Sequence, residues 1–347
     1  MNSRERVLTA LNQGIPDKTP FMELLVDEAL GKRLLGRKEP IYKNSPPPLD
    51  GYNPSFGFTG WDYYTPDELC QKLHMDAWGF SLMPQLQIEE KEVAQKDGNR
   101  TYLTDGGIKS KDDLKKIKLA DLNDEAVFEY ANNYINKHKG DYAVWVQINM
   151  GTDPVILSLG WMAFSTIVLE NISVIEEMLD IYTEWIAEAV RKLCMLDIDF
   201  IWFTDDIAFK NGLFFSPDFY RETCVPRLRK VARACTKPSV YHTDGNFLSV
   251  TEDLLSLGFN GLHPMEPGAV DIFDFKKKYQ DRVCTIGNID LNTLGLGSRE
   301  ETYQEVKEKV SRLSVGGSYI MSSSNSLTLY CKDENVETMV EAFDEYR

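Results

Sequence analysis

A histidine and an aspartate stand two residues apart where one apolar segment of the chain ends. Val240, Tyr241 and His242 are typical of the close of a buried β-strand, and Asp244 and Gly245 follow as a turn. Side chains two positions apart on a strand point the same way, so His242 and Asp244 should emerge together. A neutral imidazole beside a carboxylate suits a divalent metal ion or a general base. This pair is therefore the first candidate for chemistry.

Other polar side chains follow the remaining apolar segments, where further strands are expected to end. They are Glu23, Gln147, Asn149, Asp205, Asp206, His263, Glu266 and Asn325. Carboxylates outnumber basic groups at these positions, and such a group would repel itself unless protons or a cation lay among the acids. The composition therefore favours a bound metal ion. A local interpretation stays open, because Asp205 and Asp206 could bind backbone amides as caps and His263 could be a buried core histidine.

Eight apolar runs alternate with amphipathic helical segments, and these elements must position the polar residues. Most runs are continuously apolar, as expected for parallel strands that are covered on both faces. The runs span residues 19–25, 77–83, 143–149, 199–204, 238–242, 261–263, 283–287 and 318–321. Eight β/α units predict an α/β fold, a single distorted TIM barrel over residues 1–347 with an N-terminal helical extension. Chemistry in this fold lies at the carboxyl ends of the strands.

Two segments interrupt the alternation of strands and helices. Residues 37–64 are rich in proline, glycine and aromatic side chains, which predicts an ordered loop that could cover the mouth of the barrel. Residues 89–107 carry polar β-type residues around Asp97 and Gly98, which is a hairpin signal. We interpret both as excursions from the barrel and not as separate domains.

The charge balance excludes several classes of partner. The chain has 38 basic and 54 acidic residues, for a net charge of -16, which opposes binding to nucleic acid or to an anionic membrane. None of the six cysteines has Cys-x-x-Cys spacing, so no thiolate zinc site is visible. The first residues show no apolar signal region, and no apolar run approaches membrane-spanning length. We therefore expect a cytoplasmic protein with reduced thiols.

Three motifs, in this order along the chain, resemble the uroporphyrinogen decarboxylase superfamily. The first is Arg-Glu-Arg-Val-Leu-Thr-Ala-Leu at residues 4–11 with Pro-Asp-Lys-Thr-Pro at 16–20. The second is Gly-Asn-Ile-Asp at 287–290, and the third is Gly-Gly-Ser-Tyr-Ile-Met at 316–321 with Glu-Asn-Val at 334–336. The resemblance spans nearly the whole chain and implies a distorted TIM barrel with its site at the mouth.

Two departures from the superfamily's motifs separate this chain from the haem-pathway decarboxylase. That enzyme resembles this chain but has an arginine-rich motif after its first strand, which grips substrate carboxylates, whereas residues 20–27 here hold Glu23 and Asp27 and no arginine. Its Gly-His-Gly after the last strand is matched here by Ser324, Asn325 and Ser326. A substrate with many carboxylates would meet acids without a cationic clamp. The resemblance is therefore closer to the corrinoid-dependent methyltransferase branch.

Within that branch, the members that act on thiols resemble this chain less well. Their His-x-Cys-Gly is matched by His242-Thr243-Asp244-Gly245, and their second cysteine by Asn325. Hard ligands thus replace soft ones, which disfavours a thiol activated on zinc. Members that cleave methoxy or methylamine substrates look closer, and some hold zinc with carboxylates and one histidine. That resemblance implies Asp206, Glu222 and His242 as ligands, in this chain order.

These observations lead to one hypothesis and two alternatives. We expect a zinc-assisted methyltransferase that demethylates a small methylated substrate, most simply a methyl ether, and passes the methyl group to a corrinoid carried on a partner protein. Its catalytic residues would be His242, Asp244 and Asp206, and Glu222 would join them as a metal ligand. The residues expected to orient the substrate are Glu23, Gln147, Asn149, His263, Glu266 and Asn325.

The first alternative is a decarboxylase or lyase of the uroporphyrinogen decarboxylase type, in which His242 and an aspartate form an acid/base pair. The second is a binding protein whose barrel has lost catalysis. The missing thiolates and the presence of Asn325 leave room for that alternative.

Overall fold

The computed structural model describes residues 1–37, 66–95, 98–123 and 125–347. Apart from Arg37, the lid predicted at residues 37–64 lies outside the described residues. The strands are β1 (Ala77–Ser81), β2 (Ile88–Gln95), β3 (Gly98–Gly106), β4 (Ala143–Asn149), β5 (Phe200–Thr204), β6 (Ala208–Phe209), β7 (Gly212–Leu213), β8 (Ser239–His242), β9 (Gly261–His263), β10 (Cys284–Ile286) and β11 (Tyr319–Ile320). The α-helices are α1 (Ser3–Leu11), α2 (Glu28–Leu34), α3 (Pro66–Leu73), α4 (Glu125–His138), α5 (Thr152–Leu159), α6 (Trp161–Glu170), α7 (Ile172–Leu193), α8 (Pro217–Phe219), α9 (Val225–Ala234), α10 (Thr251–Leu255), α11 (Ile272–Tyr279), α12 (Leu291–Leu296), α13 (Arg299–Leu313) and α14 (Asp333–Tyr346).

Seven parallel strands form the central sheet, and their order in the sheet follows their order in the chain. The neighbours run β1, β4, β5, β8, β9, β10 and β11, and every pairing between them is parallel. Helices lie between most consecutive strands, as parallel connections require. The predicted distorted β/α barrel is therefore confirmed, and so is its N-terminal helix, which begins with a capping box formed by Asn2 and Glu5.

The segment at residues 19–25 occupies the eighth position of the barrel but is not a continuous strand. On one side the Met22 amide donates to the Met321 carbonyl (3.1 Å). On the other side the Asp76 amide donates to the Phe21 carbonyl (2.7 Å). Pro20 has no N–H to add to a ladder, and the Phe21 amide donates to the Asp76 side chain instead (3.0 Å). The predicted first strand is thus reduced to one isolated bridge, between Phe21 and Met321, and single backbone hydrogen bonds that close the barrel.

Alternating side chains of the strands divide the apolar core into two groups. Trp145 and Trp202 belong to a cluster that includes residues of α1, whereas their neighbours along the strands, such as Val146 and Phe203, pack with the surrounding helices. This alternation follows from the period of two in a strand. Because Val7, Ala10 and Leu11 of α1 belong to the inner cluster, apolar side chains fill the amino end of the barrel, and polar residues gather at the other end.

The hairpin predicted at residues 89–107 is confirmed, since β2 and β3 pair antiparallel with Gln95 opposite Gly98. Gly106, at the end of β3, lies so close to the backbone at the end of α5 that a Cβ there would overlap it. The hairpin is therefore packed against α5, the helix that follows β4.

Among the described residues, no single helix has the length and apolar composition needed to cross a membrane. One pair of helices, Thr152–Leu159 and Trp161–Glu170, meets that test of length and composition together, with a bend of 106° between them.

The close approach of β1 to β4 predicts a strong effect of Gly79→Ala. A Cβ at Gly79 would overlap both the indole and the carbonyl oxygen of Trp145, so we expect a loss of about 3 kcal/mol in the free energy of unfolding. Urea denaturation measures this loss. Gly295→Ala in α12 is the matched control, because its Cβ would lie 3.4 Å from its nearest neighbour. Equal stability of the two variants would contradict this packing.

Candidate active site

A cavity of about 290 Å³ opens at the carboxyl ends of β1, β4, β5 and β8. It is lined by Leu24, Leu25, Met83, Gln147, Asn149, Asp153, Thr204, Asp205, Asp206, His242, Asn325 and Ser326. The fold thus brings together five of the predicted site residues, together with Asp205. Neither lysine nor arginine occurs among these lining residues, although three of them are aspartates. The cavity is therefore acidic on one side and apolar on the other.

His242 lies at the centre of a three-residue group that could hold a metal ion. Its Nε2 atom is 3.6 Å from Oδ1 of Asp206 and 3.8 Å from Oδ1 of Asp244. Potential ligand atoms of the three residues all lie within 4.8 Å of one another. Parallel pairing on both sides of β8 sets the position of His242, opposite Thr204 on one neighbour and His263 on the other.

The two aspartates of this group are held by contacts of their own. The Asp244 amide donates to Oδ1 of Asp206 (3.0 Å), and the Asn325 side-chain amide donates to Oδ2 of Asp244 (2.6 Å). Oδ1 of Asp244 is buried and has no hydrogen-bond partner among the described residues. Burial raises the pKa of Asp244 to about 6, with repulsion from Asp206 and Glu266 adding to it and the charge of His242 opposing it.

A second pair of acids lies on the other side of Asp206. The Asp153 amide donates to Oδ1 of Asp205 (2.6 Å), and burial raises the pKa of Asp205 to about 7. The pKa of Asp153 is raised well above its ordinary value by burial and by repulsion from Asp206 and Asp205. This shift favours the protonated form of Asp153, whose O–H could donate a hydrogen bond into the cavity.

Asp153 had no role in the sequence hypothesis, although it stands only four residues after Asn149, the last residue of β4. The local interpretation of Asp205 and Asp206 was also correct in part. Each accepts a backbone amide, but from a distant segment and not from the one that follows.

Glu23 and His263 do not line the cavity but lie buried behind it. Glu23 accepts hydrogen bonds from the Ser323 amide (2.8 Å), the Ser323 hydroxyl (2.7 Å) and the Ser322 hydroxyl (3.3 Å). Burial raises its pKa to about 8, against the effect of these donors. His263 is fully buried, and its Nδ1 lies 2.7 Å from Nδ1 of His242.

Two other predicted residues also lie outside this cavity. Glu266 accepts a hydrogen bond from the Gly245 amide (2.9 Å) and lines a neighbouring cavity of about 230 Å³, which Asp244 also lines and which shares Asn325 with the first cavity. Glu222 is exposed on the π-helical turn Tyr220–Cys224 and is not part of the three-residue group. The position of Glu222 on that turn exposes its side chain to solvent. We therefore leave Glu222 out of the proposed ligand set.

Comparison with known proteins places the chain in a family. Residues 156–346 match the family "Uroporphyrinogen decarboxylase (URO-D)". This match covers more than half of the chain, which therefore belongs to this enzyme family, as its motifs predicted. No curated protein matches the chain.

Among solved structures, the chain resembles a methyltransferase from Methanosarcina mazei with a TM-score of 0.73 and 19% identity, covering 100% of this chain and 99% of that one. This likeness shows the shared fold. A putative vitamin-B12 independent methionine synthase from Listeria monocytogenes matches at a TM-score of 0.40 and 10% identity over 63% of this chain and 69% of that chain. A glycoside hydrolase family 5 enzyme from Prevotella bryantii matches at 0.42 and 11% identity over 93% of this chain and 99% of that chain. TM-scores of 0.40 and 0.42 are too low to support an inference about fold or function.

The raised pKa of Glu23 predicts a change in how stability depends on pH. Between its ordinary pKa of 4.5 and about 8, the folded protein holds a proton that the unfolded chain releases, so wild-type stability falls by up to about 1.4 kcal/mol per pH unit. Glu23→Gln keeps a neutral group at every pH and should lose this contribution. The variant should therefore gain stability relative to wild type as the pH rises through this window.

Urea denaturation at several pH values measures the difference. The exposed Glu222→Gln variant controls for loss of one carboxylate. Parallel curves for wild type and Glu23→Gln would contradict the burial argument.

Proposed function

We propose that this protein is a methyltransferase that demethylates a small methyl ether and passes the methyl group to a corrinoid carried on a partner protein. We further propose that His242, Asp206 and Asp244 hold a zinc ion at the site. The observation that supports the metal is the convergence of an imidazole nitrogen and two carboxylate oxygens on one point. Zinc binds nitrogen and oxygen donors of these types.

The atoms at this point fit a cation better than they fit one another. The distances of 3.6 and 3.8 Å from His242 Nε2 to the carboxylate oxygens are too long for good hydrogen bonds. Oδ1 of Asp244 is buried without a partner, which costs about 1–3 kcal/mol or more for a charged group. A bound divalent cation would satisfy that oxygen. When bound, it would act as a Lewis acid on the ether oxygen.

Side chains around the metal group would bind the substrate and supply a proton. The Ser81 hydroxyl donates to Oε1 of Gln147 (2.7 Å), which leaves the Gln147 NH₂ group to donate to a substrate. Leu25 and Met83 offer an apolar surface of the cavity to the methyl group or to a ring. We assign Asp153 as the group that would protonate the departing oxygen, since it lines the cavity and burial favours its protonated form.

In this reaction the C–O bond breaks and its electron pair stays on the oxygen. The oxygen would take a proton from Asp153, and a reduced corrinoid on the partner would supply the nucleophile that accepts the methyl group. The polar and apolar parts of the cavity suit a neutral ether, since the described lining residues offer no cationic side chain for an anion. We retain a single barrel domain over residues 1–347 and a cytoplasmic location as parts of this proposal.

The family match makes a lyase of the decarboxylase type the second candidate. His242 beside Asp206 and Asp244 could serve as an acid/base pair without a metal. The acidic lining argues against a substrate with many carboxylates, because burying those charges beside Asp153 and Asp205 would be strongly unfavourable. Any lyase substrate should therefore carry few negative charges.

Metal binding tests the first part of the proposal. Metal-free wild type titrated with Zn²⁺ in a calorimeter should bind one equivalent. His242→Ala removes the ligand nitrogen and Asp244→Asn removes the charge of a ligand carboxylate, and each should weaken binding more than the loss of about 10–100-fold that is typical of an outer partner. The exposed Glu222→Gln variant should bind as wild type does. Equal, negligible Zn²⁺ binding by wild type and His242→Ala would remove the metal from the mechanism.

Turnover separates methyl transfer from the two alternatives. Zinc-loaded protein given a methoxyarene and reduced free corrinoid should yield the demethylated phenol and methylated corrinoid in equal amounts. His242→Ala should lower the rate at least about 100-fold, in the range of lost transition-state contacts. Release of CO₂ from a carboxylated substrate without corrinoid would favour the lyase instead. Tight ligand binding without product from either reaction would favour a binding protein.

A further inference from the structure

A row of hydrogen-bonding side chains leads from His242 into the interior of the barrel. Nδ1 of His242 lies 2.7 Å from Nδ1 of His263. Nε2 of His263 lies 3.3 Å from the Ser322 hydroxyl, and that hydroxyl donates to Glu23 at 3.3 Å. All four residues are buried. The row therefore joins the metal group to a carboxyl group that has no cationic partner among the described residues that contact it.

The contacts of His263 determine which of its nitrogens carries the hydrogen. When Glu23 is ionised, both of its oxygens accept, so the Ser322 hydroxyl donates to Glu23 and offers its lone pairs to Nε2 of His263. His263 is fully buried, and burial disfavours the charged ring. A neutral ring has one N–H. In His263 this hydrogen is therefore placed on Nε2, which faces the Ser322 oxygen.

The hydrogen on His263 then fixes the hydrogen on His242. With its own hydrogen on Nε2, His263 has a lone pair on Nδ1, and the contact of 2.7 Å requires His242 to donate from Nδ1. Nε2 of His242 consequently has no hydrogen when the ring is neutral. Its lone pair faces Oδ1 of Asp206 and Oδ1 of Asp244.

We propose that His263, anchored by Ser322 and Glu23, is a positioning residue that locks His242 in the tautomer able to bind a metal through Nε2. The opposite tautomer would place an N–H between the two acids and block the metal group. The role of this tautomer in metal binding rests on the metal site proposed above. The tautomer of His242 is independent of that site, because it can be observed in metal-free protein.

Long-range ¹H–¹⁵N NMR of metal-free wild type, above about pH 8 so that Glu23 is ionised and the rings are neutral, reads the tautomer directly. The chain has four histidines, and His242→Gln and His263→Gln identify the two that matter. We expect the hydrogen of His242 on Nδ1 and that of His263 on Nε2. Finding the His242 hydrogen on Nε2 would overturn the proposal without any further variant.

Variants of His263 test whether it causes this state. His263→Phe removes the acceptor, so the His242 hydrogen should move to Nε2 and Zn²⁺ affinity should fall about 10–100-fold. His263→Gln offers a carbonyl oxygen in place of Nδ1 and should restore most of the affinity and the Nδ1 hydrogen. Unchanged tautomer and affinity in a folded His263→Phe variant would contradict the role. If His263→Phe fails to fold, the wild-type spectrum and the His263→Gln variant still test the positioning role.

Ser318→Ala is the matched control for these measurements. Ser318 is a buried serine four residues before Ser322, but its hydroxyl donates to the Val283 carbonyl (3.2 Å) and is not part of the row. Its replacement should change neither tautomer nor Zn²⁺ affinity. The two proposals can fail separately. A wild type with the Nδ1 hydrogen but no Zn²⁺ binding refutes the metal site, and one that binds Zn²⁺ with the Nε2 hydrogen refutes the positioning role.

Discussion

The convergence of an imidazole nitrogen and two carboxylate oxygens at the mouth of the barrel is the constraint on which the site depends. One imidazole nitrogen and two carboxylate oxygens converge within 4.8 Å, and one of these oxygens is buried without a partner. His242 is held beside the two carboxylates because β8 is paired with a neighbouring strand on both sides. Asp244 cannot turn away because Asn325 holds its other oxygen. The scaffold thus keeps together groups that would separate in a flexible chain.

This arrangement is stable because the rest of the barrel is apolar and tightly packed. Trp145 and Trp202 contact each other inside the barrel (ring centroids 5.2 Å apart), and α1 contributes to the same cluster. Polar side chains are therefore confined to the carboxyl end of the strands. Functional sites commonly hold such locally unfavourable contacts at the expense of a well-packed scaffold.

The electrostatics of the cavity separate the family's name from the chemistry proposed for this member. The chain belongs to the uroporphyrinogen decarboxylase family, yet the described residues that line its cavity include three aspartates and no arginine. Burial raises the pKa of Asp153 and Asp205, which favours their protonated forms. A protonated carboxyl group can donate a hydrogen bond to a neutral oxygen, as the proposed ether demethylation would require.

The sequence by itself determined the features that depend on neighbouring residues. The apolar runs predicted seven strands of the sheet, and the period of two in a strand predicted that His242 and Asp244 emerge together. The hairpin was predictable for the same local reason, because Asp97 and Gly98 are turn residues between β-type segments. The sequence also singled out Asp206 by its position, two residues after Thr204 at the end of β5.

Only the tertiary structure decided which distant residues meet. His242 and His263 are 21 residues apart, and Glu23 and Ser322 are 299 residues apart. Their contacts exist because β8 pairs with β9 and because the bridge between Phe21 and Met321 places the segment at residues 19–25 beside the last strand. No local pattern encodes such a closure. For the same reason, the sequence could not show that the Glu222 side chain is exposed and outside the metal group. The direction of a helical side chain depends on how its helix packs.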